Sequence, residues 1–244
     1  MSHLHRFHVP ADTPEAGLLP LPEAEAHHAL RVVRLRDGEE VELFDGAGRV
    51  WRGTFEQTGK RDALVKLLHC EQEAPPPHQL TLVQANLHRD QAVEELLRRG
   101  TEVGVTRFQF FRAARSEHAP KLNAKWERLL VETCKQCGRN WLPAIEVIAD
   151  PVEAVRAHLG TCYVAAMRAG ARPVAECAAS TAALLVVGPE GDITPQELDA
   201  LCEAGAAPIT LGPYVYRAEV AAILGATLLL HHAGAFGAPA PKAT

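Results

Sequence analysis

The sequence predicts an α/β chain in two domains, a small mostly-β domain followed by a larger one built on a mostly parallel sheet. Three observations carry that expectation. Pro75, Pro76 and Pro77 stand together in the 244-residue chain. A triple proline neither continues a helix nor sits in a central strand, so residues 74–78 read as a linker between domains 1–73 and 79–244. Before the linker, short segments alternate apolar and polar residues with period 2. After it, apolar strand-like runs alternate with helical patterns, as in a parallel sheet flanked by helices.

In chain order, residues 22–30 form a short helix opened by Pro22. Residues 41–44 and 49–55 pair as a hairpin around Asp45-Gly46-Ala47-Gly48, and residues 63–68 add a strand. Beyond the linker come a strand at 80–85 and a helix at 90–103 with Val93, Leu96 and Leu97 at helical spacing. A strand at 108–111, a helix at 122–137 and a strand at 144–147 follow. A helix starting near Pro151 and a strand at 162–167 lead to a buried strand at 184–187. Thr194-Pro195-Gln196-Glu197 then opens a helix with a capping box: Thr as N-cap, Pro first, Glu at the third position. A short strand at 208–211 and an apolar helix at 218–232 close the pattern.

Composition narrows the function classes. With 47% hydrophobic and 23% charged residues the chain is neither disordered nor collagen-like, and 6 cysteines in this length make no disulfide scaffold. The longest apolar run, 220–230, ends at His231 and His232, well short of the roughly 20 residues a membrane span needs. The start carries no apolar signal segment. A cytoplasmic protein without a membrane partner is expected. The net charge of −5 conceals an asymmetry: residues 1–73 hold 9 basic and 13 acidic side chains, 88–141 hold 11 and 7, and 142–244 hold 5 and 10. Contact with a polyanion therefore belongs to the middle third. No metal is expected, because Cys134-x-x-Cys137 has no second cysteine pair at ligand spacing.

Two segments carry chemistry. Val186-Val187-Gly188-Pro189-Glu190-Gly191 puts a tight turn after a buried strand, at the sheet edge where α/β proteins bind ligands. Leu211-Gly212-Pro213-Tyr214-Val215-Tyr216-Arg217-Ala218-Glu219 repeats the arrangement and opens the last helix with Arg217 and Glu219. Each alone is also an ordinary strand-to-helix turn. Converging on one edge, they would form a backbone-lined pocket with an Arg–Glu pair at its mouth.

These loops resemble the signature loops of the RsmE family of SPOUT-class RNA methyltransferases. Gly188, Pro189, Glu190, Gly191 and Thr194 match the family's G-P-E-G-G-F-S. Leu211, Gly212, Val215, Arg217, Glu219 and Ala221 match L-G-x-R-I-L-R-x-E-T-A. The resemblance extends to 28–34 with Gly38 and 44–48, which look like a PUA-like amino-terminal domain. It also covers Thr101-Glu102-Val103-Gly104-Val105, and Lys135-Gln136-Cys137-Gly138-Arg139 with Pro143. Departures fall at Asp192, Ile193, Pro213, Tyr214, Tyr216 and Val220.

The resemblance implies a PUA-like β-barrel joined to a SPOUT α/β domain with a trefoil knot, working as a homodimer. It implies S-adenosylmethionine as cofactor and N3 of a uridine in 16S ribosomal RNA as the methylated atom, on free RNA or on the small subunit. Val187, Gly188, Pro189, Glu190, Gly191, Leu211, Gly212, Val215, Tyr216 and Arg217 would hold the cofactor. Arg217 would face the uridine oxygens, with Glu219 as base or orienting group. Arg6, Arg31, Arg34, Arg115 and Arg139 are the candidates for RNA phosphates. A non-catalytic RNA-binding factor, or another SPOUT specificity, stays open at this stage.

Overall fold

The computed structural model describes residues 4–168 and 170–237. Its contacts divide the chain into two compact units, one running up to Pro75 and including Val131–Leu142, the other holding Pro76–Leu130 and the chain from Pro143 on.

The first unit contains strands β1 (His5–His8), β2 (Gly17–Pro20), β3 (Glu40–Phe44), β4 (Arg49–Gln57) and β5 (Ala63–Gln72), and helix α1 (Glu23–His27). They form one sheet in the order β1-β3-β4-β5-β2, with β1 parallel to β3 and the other pairs antiparallel. Period-2 alternation turns Phe7, Leu43, Trp51, Phe55 and Val65 inward, and all five are fully buried. The hairpin at 45–48 is closed by the Asp45 carboxylate, which accepts from the Ala47 and Arg49 amides at 2.8 and 3.0 Å and pairs with Arg49 Nε at 3.0 Å. Helix α1 continues into a wide helical turn, His28–Val33, that stops at Arg34 in a left-handed conformation (φ 63°).

The structure adds β1 and β2 to the sequence expectation, four residues each. Residues 131–142, which the sequence grouped with the second domain, pack with the first unit. There Lys135, buried, forms ion pairs with Glu25 at 2.9 Å and Glu132 at 3.0 Å.

The second unit alternates β6 (Gln79–Ala85), α2 (Asp90–Val103), β7 (Arg107–Phe111), α3 (Ala124–Cys137, its end counted with the first unit), β8 (Ala144–Val147), α4 (Pro151–Ala157), β9 (Thr161–Ala165), β10 (Arg172–Pro173), β11 (Ala182–Val187), α5 (Pro195–Glu203), β12 (Ala207–Thr210) and α6 (Ala218–His232). Every pair in its seven-stranded sheet is parallel, in the order β10-β12-β9-β11-β6-β7-β8. The central strand β11 is an unbroken apolar run, as a strand covered on both faces requires. Helix α2 ends at Gly104, whose φ of 113° suits a left-handed C-cap and accounts for the glycine in Thr101–Val105. One face of α6 is buried through Ala222, Gly225, Ala226, Leu229 and Leu230, while Val220 on another face is 43% exposed. A Cβ at Gly225 would stand 2.7 Å from a Leu185 methyl, so any larger residue would force the buried Leu185 side chain to shift.

Candidate active site

The strand order sets β12, β9 and β11 side by side and parallel, so the chain leaves all three at one sheet edge. Their exits enclose a cavity of about 380 Å³. The first loop contributes Val187, Gly188, Pro189, Glu190 and Asp192; the second contributes Leu211, Tyr214, Val215, Tyr216 and Arg217. A third wall, Ala165, Ala166 and Met167 after β9, carries no sequence motif and was missed by the sequence reading. Gly191 and Gly212 shape the loops without lining the cavity.

The two glycines at the loop starts work differently. Gly212 has a φ of 147°, a conformation that disfavours side chains, and a Cβ there would stand 3.0 Å from the Tyr216 hydroxyl. Gly188 is needed for packing inside its own loop, since a Cβ would meet Ile193 Cγ1 at 2.8 Å. Beneath this loop lies Gln84 on β6, fully buried, whose Nε2 donates to the Gly188 carbonyl at 2.9 Å. A buried glutamine in an apolar strand was the available sequence signal for it.

Loop 188–194 is braced from the segment after β7. Arg115 Nη1 donates to the Gly191 carbonyl at 2.8 Å, and the Ala114 amide donates to Glu197 Oε1 at 2.7 Å. The capping box of α5 forms as expected, with Glu197 also accepting from the Thr194 amide and hydroxyl. Burial alone would push the Glu197 carboxyl up, but the donated hydrogen bonds outweigh it and hold the group below its ordinary value.

Arg217 lines the cavity as the N-cap residue of α6 and is exposed. Glu219 is half-buried in the first turn of α6 and is not among the lining residues. Among the described residues the expected Arg–Glu pair does not form; positions two apart at a helix start point in different directions.

A family described as RNA methyltransferase domain matches residues 74–230, and one described as RNA methyltransferase PUA domain matches 21–68. The ribosomal RNA small subunit methyltransferase E of Mycobacterium bovis is 32% identical over 223 residues, covering 86% of this chain and 85% of that protein. The chain belongs to the ribosomal RNA small subunit methyltransferase E family. The member from Synechocystis is 28% identical over 82% of this chain and 69% of that protein. A crystal structure of the Neisseria gonorrhoeae methyltransferase E bound to S-adenosyl methionine superposes with a TM-score of 0.82 at 27% identity, covering 94% of this chain and 98% of that one. The architecture is thus a PUA-like amino-terminal domain followed by the parallel-sheet methyltransferase domain of this family.

Within the methyltransferase E motif, Asp192 stands at the second glycine of the first loop, and the structure explains how. Its φ is 64°, a left-handed conformation that glycine adopts freely. Aspartate tolerates it here because its carboxylate accepts from the Ile193 amide at 2.7 Å.

The five arginines proposed for RNA phosphates separate. Arg31 and Arg34 are exposed, Arg31 making one long contact to the Lys60 carbonyl at 3.4 Å. Arg115 is exposed, but one guanidinium nitrogen braces the first loop. Arg139 is half-buried, and burial draws its pKa below the usual guanidinium value.

Arg6 requires a correction. Its side chain is 8% exposed and pairs through Nε with Glu42 at 2.7 Å. It donates from Nη1 to the carbonyls of Cys134 at 2.7 Å and Arg139 at 3.2 Å, and from Nη2 to Asn140. Its guanidinium also stacks 4.6 Å from the Phe44 ring centroid. Its donors are engaged within the first unit, so it ties residues 134–140 to β3 and offers no surface charge to RNA.

Proposed function

We propose that this chain uses S-adenosylmethionine to methylate N3 of a uridine in 16S ribosomal RNA. The observation that carries the reading is the single cavity in which the two glycine-containing loops meet Arg217, in a chain whose relatives include a methyltransferase E bound to S-adenosyl methionine. The cavity's size and its mix of apolar wall and backbone groups suit a cofactor with an adenine, a ribose and a short charged tail. Residues 187–190, Leu211 and 215–217 would hold it, on loops shaped by Gly191 and Gly212. When bound, it supplies a methyl group on a sulfonium.

The remaining chemistry rests on the protein. Uridine N3 carries a proton and becomes nucleophilic once that proton leaves, with negative charge spreading onto O2 and O4. Arg217, exposed at the cavity and without an ion-pair partner among the described residues, stabilises that charge and eases release of the N3 proton to solvent. Holding the nitrogen in line with the methyl contributes the rest. Glu219 is assigned to the first turn of α6, where a carboxylate complements the helix dipole, and not to proton abstraction.

The same proposal includes a cytoplasmic homodimer with a trefoil knot in the second unit. The dimer is supported by the partly exposed apolar face of α6 around Val220 and by the family resemblance. Among the described residues no helix is long and apolar enough to cross a membrane. Isothermal titration calorimetry tests the reading: one S-adenosylmethionine binds per chain and heat is lost in Gly212→Val. A chain that binds small-subunit RNA but no S-adenosylmethionine would be a non-catalytic RNA-binding factor.

A further inference from the structure

A second cavity in the same unit, about 600 Å³, opens where the chain leaves β6 and β7. Asn86, His88, Arg112, Glu117, His118 and Lys121 are among its walls. We propose that this cleft binds a phosphodiester of the RNA strand that carries the target uridine, an inference that rests on the methyltransferase reading above.

One hydrogen bond links the cleft to the cofactor cavity. The backbone amide of His88, on its rim, donates to Glu190 Oε1 at 3.0 Å, and Glu190 lines the cofactor cavity. A strand reaching the methyl-transfer site along this edge passes over the cleft.

Two cations in the cleft are available to an anion. Arg112 and Lys121 are exposed and make no ion pair or hydrogen bond among the described residues. Three carboxylates stand nearby, those of Glu117, Asp90 and Glu190. Glu117 contacts His88 Nδ1, a pair that is ionic only when the histidine is protonated; Asp90 sits in the first turn of α2, where the free amides of the helix compensate a carboxylate; and Glu190 accepts from the His88 amide.

The walls are held in place before any ligand arrives. Asn86 Nδ2 donates to the His118 carbonyl at 3.1 Å, and Ser116 Oγ donates to the Asn86 carbonyl at 3.3 Å. Asn123 Oδ1 accepts from the amides of Lys125 and Trp126, whose buried indole packs 5.0 Å from the Phe110 ring. His88 and His118 lie nearly parallel, 26° apart, with exposed faces on which a base can stack.

A divalent cation is the competing occupant, because ligand atoms of His88, Glu117 and His118 all lie within 4.8 Å of one another. Two permanent cations in the same cleft oppose it, and they favour a phosphodiester. The segment also falls in the basic stretch 88–141 of the sequence.

The test is fluorescence anisotropy with a labelled fragment of small-subunit ribosomal RNA, titrated at several salt concentrations. The full chain is compared with Arg112→Gln/Lys121→Gln, whose exposed positions leave folding intact. The double variant should bind RNA roughly ten-fold more weakly, and its log–log salt slope should flatten by about 1.5 to 2, close to one per lost contact. S-adenosylmethionine affinity should be unchanged, because neither residue lines the cofactor cavity. Unchanged RNA affinity and slope in a variant whose parent binds RNA would overturn the subsite and leave the methyltransferase reading standing. A parent chain that binds neither the fragment nor small ribosomal subunits overturns both. Stoichiometric Zn²⁺ binding that is lost in His118→Ala, with RNA affinity untouched by the double substitution, would make the cleft a cation site instead.

Discussion

Replacing Arg6 with alanine removes a side chain that is 8% exposed and leaves Glu42, 12% exposed, without its partner. The Arg139 carbonyl and the Asn140 side chain lose their donor at the same time, and the Cys134 carbonyl keeps only the Gly138 amide. Breaking a buried pair by deleting one member costs about 3–5 kcal/mol, chiefly because the other charge stays buried and uncompensated. Against a typical total stability of about 5–15 kcal/mol, that is a large fraction. For a chain of 244 residues the melting temperature should fall by about 6–20 °C. Calorimetric or circular-dichroism melts of Arg6→Ala measure it. Arg6→Ala/Glu42→Ala supplies the control, since removing both charges should recover part of the loss. If Arg6→Ala melted like the parent and lost only RNA affinity, Arg6 would face solvent and the network around it would be wrong.

Four further outcomes follow from the geometry. Gly212→Val should lower S-adenosylmethionine affinity by at least about ten-fold, because the backbone at φ 147° disfavours a side chain; calorimetry with a parallel melt separates this from unfolding. Glu197→Gln should destabilise the chain by about 1–2 kcal/mol at neutral pH, because one of the two carboxylate oxygens that accept from the Ala114 and Thr194 amides becomes a donor and the charge is lost. Since the folded Glu197 carboxyl titrates below its ordinary value, that difference should persist above the usual carboxylate range and close as the pH falls through the folded value. Cys137 titrates low, at about 6, through its hydrogen bond with Cys134, the Arg139 amide and the charges of Arg139 and Arg6. The lower pKa also weakens the thiolate as a nucleophile, so alkylation should exceed that of an ordinary thiol by only ~3-fold at pH 7 but by ~10-fold at pH 6; mass spectrometry of the labelled peptides reads both. Arg217→Ala should slow single-turnover methyl transfer steeply at saturating RNA while RNA affinity changes little, whereas loss of affinity alone would make it a phosphate clamp.

Local patterns were legible where the signal is local. Alternation placed β4, the apolar run placed β11, and Thr194 with Glu197 marked the start of α5. The glycine-containing loops could be assigned to one sheet edge because parallel strands all exit on the same side. What escaped depends on tertiary neighbours. β1 and β2 are too short to show periodicity. An arginine reads alike whether it faces solvent, as Arg34 does, or lies buried against Glu42, as Arg6 does. The third wall at 165–167 follows from β9 lying between β11 and β12, an order that spacing along the chain does not reveal.

The central claim is methyl transfer to uridine N3, and primer extension on methylated RNA tests it most directly. Small ribosomal subunits lacking the modification, and the free RNA extracted from them, are each incubated with the chain and S-adenosylmethionine carrying a labelled methyl group, and the RNA is then copied by reverse transcriptase. A methyl on N3 blocks the base-pairing edge, so the account predicts label in the RNA and a new stop one position before a single uridine, both absent in Arg217→Ala. Label without a stop would place the methyl on another atom, and no label in RNA despite bound cofactor would contradict the account.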